Sequence, residues 1–181
     1  TGVQTCALPI LSIKDHPLSV CRIAFRRTTN ATNTRTAIVC LIPPNVALVN
    51  SAPYLVRMRG TAAHEAYVLG VMSSIPFDWQ ARRVVELGFS AEMLNSMAIP
   101  QYGADSITKR IVRLAGSLAA IDARYAGWAE EVGVPVGAVK SSERDSVVAE
   151  LDALVALAYG LSAIDLDLMF KRSEEHTSEL Q

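Results

Sequence analysis

The first part of the chain alternates short apolar runs with polar turn segments, a pattern typical of β-strands. CRIAFRR alternates apolar and polar residues, and TAIVCLI is a β-branched run that stops at Pro43. Between them, TTNATNTR is rich in residues that form turns by bonding to their own backbone. VALV and YLV predict two further short strands. We therefore predict a small twisted sheet between Val20 and Val56, with one long polar loop.

After residue 60 the apolar residues recur at every third or fourth position, which is helical spacing. The segment TAAHEAYVLGVMSS predicts an amphipathic helix. Pro76 suits the first turn of a second helix that continues through FDWQARRVVEL. A short third helix over residues 91–97 ends before Pro100.

The last part of the chain predicts three more helices. Asp105 or Ser106 caps the first of them, a long helix with apolar positions up to Ile121. After a break at Gly133, the second begins near residue 145 and ends before Gly160. The run AIDLDLMF forms the third.

These patterns predict an α+β fold with a small β-rich N-terminal part followed by a mainly helical C-terminal part. We place a domain boundary near Pro100. Residues 11–100 then form a region of strands followed by helices, and residues 101–171 form a helical region.

The two ends of the chain, residues 1–10 and 172–181, are related through their coding DNA. TGVQTCALPI can be encoded by ACT GGA GTT CAG ACG TGT GCT CTT CCG ATC. The reverse complement of that DNA, with one A in front, encodes RSEEHTSELQ. Unrelated protein termini almost never have this property, so we expect both decapeptides to be translated sequencing-adapter DNA. Cys6 and His176 are therefore left out of any count of metal or catalytic residues.

Charge is unevenly distributed along the chain, although the net charge of the whole is −1. Residues 11–113 hold twelve Lys and Arg against six Asp and Glu, whereas residues 114–171 hold four against nine. A basic N-terminal part followed by an acidic helical part is typical of a protein in which one region binds a polyanion and the other is a solvent-exposed helical scaffold.

Hydropathy and cysteine usage indicate a cytoplasmic protein. No segment contains eighteen uncharged apolar residues, so the sequence predicts no membrane span and no membrane partner. Cys21 and Cys40 lie far apart in strand-like runs, which favours two buried thiols over a zinc site.

The sequence contains no recognisable catalytic or metal-binding constellation. A Gly-rich phosphate loop, HExxH, GxSxG and paired Cys/His clusters are missing. His64 and Glu65 resemble half of a zinc-binding helix, but Val68 stands where the second His is required, so we interpret them as a solvated helix start. Asp165 and Asp167 are two positions apart and point to different faces of their helix. We predict no catalytic residue, no metal ligand and no cofactor-binding residue in this chain.

Arginine and amide side chains are grouped in two places. One group closes the first strand and enters the polar loop, and the other occupies one turn of the helix after Pro76. Arg reads guanine and Asn or Gln reads adenine through paired hydrogen bonds, while other basic residues hold phosphates. Composition alone favours an ordinary surface with several arginines. The candidate DNA-binding residues are Arg26, Arg27, Asn33, Arg35, Gln80, Arg82 and Arg83.

Three segments, taken in order, resemble a known family of DNA-modifying enzymes. NTRTAIVCLIPPNV, AYVLGVMSSIPFDWQARRVVELGFSAEMLNSMAIP and AELDALVALAYGLS resemble the C-terminal part of Eco57I-like and TaqI-like adenine-specific DNA methyltransferases of restriction–modification and phage-defence systems. The chain departs from that family at Ser73, where Asn is usual, and at residues 84–86, where a basic segment with Gly often follows. The matching positions are Ser73-Ser74, Phe77-Asp78, Ala81-Arg82 and Ile99-Pro100.

The resemblance implies the target-recognition part of a bacterial enzyme that flips an adenine out of the duplex and methylates its exocyclic nitrogen with S-adenosylmethionine. The family's Asn/Asp-Pro-Pro-Tyr motif and cofactor-binding glycines are absent from this sequence, and Pro43-Pro44-Asn45 has a different order. The implied partners are therefore double-stranded DNA and a catalytic domain of the same chain that is missing here. S-adenosylmethionine belongs to that parent enzyme, and this fragment holds no cofactor.

Two other hypotheses stay open at this point. The acidic, Ala-rich helical part also fits a protein-interaction or scaffold module without a nucleic-acid role. Alternatively, the parent protein is a nuclease whose cleavage domain lies elsewhere. The last hypothesis is compatible with DNA recognition because the resembled family includes fused restriction–methylation enzymes.

Overall fold

The computed structural model describes residues 17–31 and 33–178, with side chains up to Lys171. Within these residues the chain is an α+β fold, as predicted, with a three-stranded antiparallel sheet followed by helices. The strands are β1 (Arg22–Phe25), β2 (Val39–Ile42) and β3 (Tyr54–Leu55). Residues 1–10 and the side chains of residues 172–181, expected to derive from adapter DNA, lie outside this description.

The sheet has the order β2-β1-β3, so β1 is its central strand. Ala24 pairs with Cys40 on one side and with Tyr54 on the other. The prediction of a strand at VALV is wrong, because residues 46–49 form an irregular segment. The Val46 carbonyl accepts a hydrogen bond from the Arg22 side chain instead of joining a ladder.

Every residue of β1 is buried, although the alternating sequence indicates a half-buried strand. Arg22 is 0% exposed. Its Nη2 donates to the Val46 carbonyl at 2.5 Å, and its guanidinium carbon lies 4.8 Å from the centroid of the Tyr54 ring. Its Nε and Nη1 have no hydrogen-bond partner among the described residues. The sheet therefore contains a buried positive charge that is only partly satisfied.

Helices occupy most of the remaining described chain. They are α1 (Ala62–Met72), α2 (Ile75–Val84), α3 (Ala91–Ser96), α4 (Ser106–Ala119), α5 (Ala126–Val132), α6 (Arg144–Ala158) and α7 (Ala163–Ser178).

Several helix ends follow the local signals in the sequence. Pro76 lies in the first turn of α2, and Asp105 caps α4 by accepting a hydrogen bond from the Thr108 N–H at 2.9 Å. Gly160 follows α6 with a φ of 74°, a left-handed conformation that Gly adopts without strain. These three predictions are confirmed.

The chain between α4 and α6 differs from the prediction. The long helix was expected to carry apolar residues up to Ile121, but α4 ends at Ala119 and Ile121 is 57% exposed. A short 3₁₀ turn, Ala123–Tyr125, and the separate helix α5 follow. α5 ends at Gly133, whose φ is 80°.

The hydrophobic core is built around α1, which packs chiefly against α4. A Cβ placed on Gly70 of α1 would lie 2.9 Å from the Cβ of Ala115 and 3.1 Å from Ile111. Only Gly allows the two helices to approach this closely. The core is continuous across Pro100, since residues of α1 and α2 pack in one cluster with residues of α4 and α6.

The two cysteines have different environments. Cys21 is 8% exposed, and burial raises the pKa of its thiol to about 11. Cys40 is an exposed thiol on β2, so the prediction that it is buried is wrong. The reason is that side chains alternate between the two faces of β2, and the face that carries Cys40 is exposed at this position whereas Leu41, on the other face, is buried.

Over the ranges that the structure describes, no single helix has the length and apolarity needed to cross a membrane. The segments Ser141–Ala158 and Ala163–Lys171 have that length and apolarity only when they are taken together, and the chain bends by 119° at the break between them.

Candidate nucleic-acid interface

Arg82 fixes the polar loop, residues 28–31 and 33–36, against α2. Its Nη1 donates to the Ala31 carbonyl at 2.9 Å, and its Nη2 donates to the Asn33 carbonyl at 2.9 Å and to the Thr34 carbonyl at 2.5 Å. The Nε donates to Asp78 at 2.9 Å. The side chain is only 17% exposed. Arg82 therefore uses most of its donors within the protein, where it organises the loop.

Asp78 completes this attachment from the same helix. One of its carboxylate oxygens accepts hydrogen bonds from the backbone N–H groups of Thr36 and Ala37, both at 2.7 Å, and the other accepts the bond from Arg82. Asp78 is 4% exposed. A single buried carboxylate thus joins the end of the polar loop, the approach to β2 and the guanidinium of Arg82.

Asn33 is bonded within the polar loop. Its Nδ2 donates to the Thr29 hydroxyl at 3.0 Å, and its backbone N–H donates to the Asn30 side-chain oxygen at 3.0 Å. The Thr29 hydroxyl in turn donates to the Thr36 carbonyl at 2.9 Å. These bonds give the loop a defined shape, and they occupy part of the Asn33 amide that was predicted to read a base.

Gln80 lies on the other side of α2 from Arg82, since two positions along a helix are about 200° apart around its axis. Its Nε2 donates to the Tyr159 hydroxyl oxygen at 3.0 Å and to the Ala98 carbonyl at 3.3 Å, while its Oε1 accepts from the Ala98 N–H at 3.2 Å. Burial raises the pKa of the Tyr159 phenol. Gln80 thus connects α2 with the segment after α3 and with the end of α6.

Three of the predicted arginines are exposed: Arg26, Arg27 and Arg83. Arg83 lies over the ring of Trp79, with 4.1 Å between its guanidinium carbon and the ring centroid. Arg27 Nη1 donates to the Asn50 side-chain oxygen at 2.6 Å. None of the three forms an ion pair with a carboxylate in the described part of the chain, so their charges are available to an anion.

Arg35 lies in a different setting. Its Nη2 is 3.9 Å from the Asp152 carboxylate of α6, which is too long for a hydrogen bond. The side chain is 32% exposed and lines a groove beside β2. Burial is the main reason why the pKa of Asp152 is raised, and the Ile75 N–H and Arg35 oppose that shift.

The fold brings the sheet, the polar loop and α2 together, but the predicted residues point in several directions. The Phe89 N–H, after α2, donates to the Arg27 carbonyl at 2.7 Å, which places the end of β1 beside the segment that follows α2. Sequence reasoning missed Asp78 and Trp79 as the partners of Arg82 and Arg83. The signal was available, because both pairs are spaced i,i+4 on one helix.

A second charged cluster surrounds Glu65 of α1. Glu65 is 7% exposed and accepts a hydrogen bond from Trp128 Nε1 at 2.8 Å, so its interpretation as a solvated helix start is wrong. Arg57 lies 3.9 Å from Glu65 and 3.1 Å from Glu131. His64, its neighbour, is exposed and stacks on the Tyr102 ring at 3.9 Å. The buried carboxylate ties α1 to α5.

Burial raises the pKa of Glu65, while the Trp128 hydrogen bond and the Arg57 charge oppose the shift. A carboxyl group with a raised folded-state pKa stabilises the fold most below its unfolded pKa, and this stabilisation is lost as the pH rises through the folded value. The Glu65→Gln variant keeps an acceptor for Trp128 but has no carboxyl group to ionise. We therefore expect its free energy of unfolding not to fall over this pH range. The stability of the variant relative to the parent should rise between pH 4 and pH 7 in urea unfolding curves. A constant difference over that range would contradict the assignment.

Across the described ranges no group of three or more His, Cys, Asp or Glu side chains could hold a metal ion. Comparison with protein-family models, with curated proteins and with solved structures gave no match for this chain.

Proposed function

We propose that this chain binds double-stranded DNA through the end of β1, the polar loop and the exposed side of α2. In this proposal it is the target-recognition part of a cytoplasmic, S-adenosylmethionine-dependent adenine DNA methyltransferase of a restriction–modification system. The observation that carries the proposal is the polar loop, held on α2 by Asp78 and Arg82, together with the exposed guanidinium groups of Arg26, Arg27 and Arg83, which form no ion pair within the described residues.

Arginines elsewhere in the fold differ in whether a carboxylate pairs with them. Arg110 of α4 bonds to both carboxylate oxygens of Glu150, at 2.7 and 2.9 Å, and Arg124 bonds to Asp122 at 2.7 Å. Arg26, Arg27 and Arg83, like the exposed Arg59, Arg113 and Arg144, form no ion pair within the described residues. Position distinguishes the first three, since they lie at the end of β1 and on α2, the elements that flank the polar loop. Guanidinium groups with free donors bind phosphate oxygens and release counterions from DNA.

The proposal separates the roles of the predicted residues. Arg26, Arg27 and Arg83 hold phosphates, with Arg83 kept in place by its stacking on Trp79. Asp78, Arg82 and Asn33 shape the loop that faces the DNA, and Gln80 positions α2. Asn33, Gln80 and Arg82 bond to internal groups, and Asp152 lies beside Arg35, so base reading by these four residues requires them to exchange those contacts for contacts with DNA.

Methyl transfer needs residues outside this chain. In the proposed enzyme, a catalytic domain with an Asn/Asp-Pro-Pro-Tyr motif binds S-adenosylmethionine and receives the flipped adenine. The part described here binds the DNA and fixes the position of the enzyme along the duplex. An upstream reading frame that encodes such a motif would support the assignment, and a nuclease motif there would indicate a fused restriction enzyme.

The phosphate role predicts the salt dependence of binding. We expect Arg26→Ala and Arg83→Ala each to weaken binding of a mixed-sequence 20-base-pair duplex, and each to reduce the slope of log K against log salt by about 1. The measurement is fluorescence anisotropy between 50 and 200 mM NaCl. The matched controls are Arg113→Ala and Arg144→Ala, which remove exposed arginines from α4 and α6. If all four variants have the same slope as the parent chain, this surface does not hold DNA.

A protein-interaction role is the second candidate, and exposed apolar residues on α6 and α7 favour it. Leu157 is 58% exposed, Ile164 81% and Leu168 52%. Ile164 and Leu168 are four positions apart and so lie on the same side of α7. If duplex binding is absent while Leu168→Glu abolishes self-association or partner binding in sedimentation experiments, the interaction role replaces the DNA-binding role.

A further inference from the structure

The side of α2 that faces solvent is identified by the residues buried on its opposite side. Phe77 and Ala81 lie two positions before and two positions after Trp79, which turns each of them by about 160° from it around the helix axis. Both are 0% exposed. Trp79 is therefore directed away from the core, and it is partly exposed. Arg83, one turn further along, lies on the same side.

Trp79 and Arg83 are in contact and form what we call the stacked pair. The guanidinium carbon of Arg83 lies 4.1 Å from the centroid of the Trp79 ring. Within the described ranges, Arg83 makes no hydrogen bond and no ion pair, so its contact with the ring is the interaction that holds its guanidinium. This contact is the attraction between a cation and the face of an aromatic ring.

The neighbouring polar side chains of α2 are turned to either side of the stacked pair. Arg82 donates to the Ala31 carbonyl, and Gln80 donates to the Tyr159 hydroxyl oxygen. Internal bonds therefore occupy both of these side chains. Between them, the helix presents an indole and a guanidinium to solvent, next to the polar loop that Arg82 holds.

The elements beside the stacked pair carry an excess of positive charge. Residues 16–64, which include the sheet and the polar loop, contain six Arg and no Asp or Glu. The last turn of α2 adds Arg82 and Arg83. Proteins bind single-stranded nucleic acid with this combination, because the cations attract the backbone and an aromatic ring stacks on a base. The charge favours a nucleic acid over a protein surface of mixed charge.

We propose that Trp79 stacks on one unpaired base of single-stranded or locally opened DNA. The inference rests on the proposed function, and it adds a form of DNA that phosphate contacts alone do not distinguish from a duplex. The base lies on the face of the Trp79 ring, and Arg83 moves from the ring to a neighbouring phosphate. Trp79 is thereby a binding residue that holds the base, and Arg83 neutralises the backbone next to it.

Two comparisons of interaction strength support this exchange. An exposed cation–π contact is weaker than the stacking of a base on an aromatic ring, so a base displaces the guanidinium. The displaced guanidinium then gains charge-assisted hydrogen bonds with a phosphate, which are stronger than bonds between neutral groups. In a closed duplex the faces of the bases are covered by neighbouring bases. Arg83 therefore stays on the ring when the partner is a duplex, and it contacts a phosphate from there.

The test uses the fluorescence of the 181-residue chain, which contains two Trp residues. Trp128 is 6% exposed and its Nε1 bonds to Glu65, so it does not meet a base. We expect single-stranded decathymidylate to quench the emission of Trp79. An abasic decamer of the same charge should bind about tenfold more weakly and leave the emission unchanged. A 20-base-pair duplex should bind without quenching.

Two variants separate the aromatic ring from the charge. Trp79→Ala should weaken the binding of decathymidylate about tenfold and keep duplex binding within about twofold of the parent chain. Trp79→Phe keeps an aromatic ring, so it should weaken single-strand binding by less than about threefold. The measurement is fluorescence anisotropy of labelled oligonucleotides in 50 mM NaCl, with circular dichroism to compare the folding of the variants.

Each outcome supports or overturns the proposal. It is overturned if decathymidylate binds no more tightly than the abasic decamer, or if Trp79→Ala, with an unchanged circular dichroism spectrum, weakens duplex and single-strand binding equally. Duplex binding with the expected salt dependence would then leave the proposed function standing. If neither the duplex nor the single strand binds, both proposals fail. If no oligonucleotide quenches Trp79 and Trp79→Ala removes self-association in sedimentation experiments, the stacked pair belongs to a protein interface instead.

Discussion

Replacing Asp78 by Ala is expected to lower the free energy of unfolding by about 3–5 kcal/mol, the range typical for removal of one partner of a buried ion pair. The substitution leaves the Thr36 and Ala37 N–H groups without an acceptor in a buried site. It also leaves Arg82, whose side chain is 17% exposed, without its carboxylate. Both effects act in the same direction, because buried donors and charges that lose their partners are not compensated by water.

Urea unfolding followed by circular dichroism measures this change. The matched control is Glu86→Ala, which removes an exposed carboxylate just after α2 and should change the free energy of unfolding by less than about 0.5 kcal/mol. Asp78→Asn should fall between the two, because it keeps one acceptor for the backbone but loses the charge. A loss of less than about 1 kcal/mol in Asp78→Ala would mean that the polar loop is held by other contacts.

Replacing Arg22 by Met is expected to raise the free energy of unfolding, by about 1–4 kcal/mol. The guanidinium is fully buried, and its Nε and Nη1 donate to no acceptor. Within the described ranges, the favourable interactions of its guanidinium are one hydrogen bond with the Val46 carbonyl and the contact with the Tyr54 ring. A Met side chain is shorter than Arg, but it is apolar and flexible, so it fills most of the same space without the energy required to remove a charge from water.

Thermal and urea unfolding of Arg22→Met and Arg22→Lys separate the charge from the packing. Lys keeps a buried positive charge, so it should give no gain in stability. If Met and Lys lower the stability equally, the hydrogen bond with Val46 and the Tyr54 contact outweigh the unpaired donors, and the prediction fails.

Features of the fold that depend on neighbouring residues were predictable from the sequence. Pro76, Asp105 and Gly160 mark helix ends because each acts through its own backbone or through residues within one turn. Features that depend on distant residues were not. The burial of Glu65 follows from Trp128, which is sixty-three positions away. The VALV run has the composition of a strand, but the described sheet provides it with no partner.

The elements that carry the candidate residues lie next to one another, whereas the role of each side chain depends on packing. The end of β1, the polar loop and α2 do come together, as the grouping of arginines indicated. Residue type alone could not distinguish the roles of Gln80, Arg82 and Arg83, because their roles depend on where α2 is packed. The orientation of α2 about its own axis places Arg82 against the loop and Gln80 against Tyr159. It leaves Arg83 exposed, over the ring of Trp79.

The close packing of α1 on α4 at Gly70 affects how the protein is made. During synthesis, α1 leaves the ribosome well before Ile111 and Ala115 of α4, the residues that cover it. Until α4 emerges, an almost entirely apolar helix has no partner and is a site for chaperone binding. Ribosome-bound chains that end shortly before and shortly after α4 should therefore differ sharply in their resistance to protease.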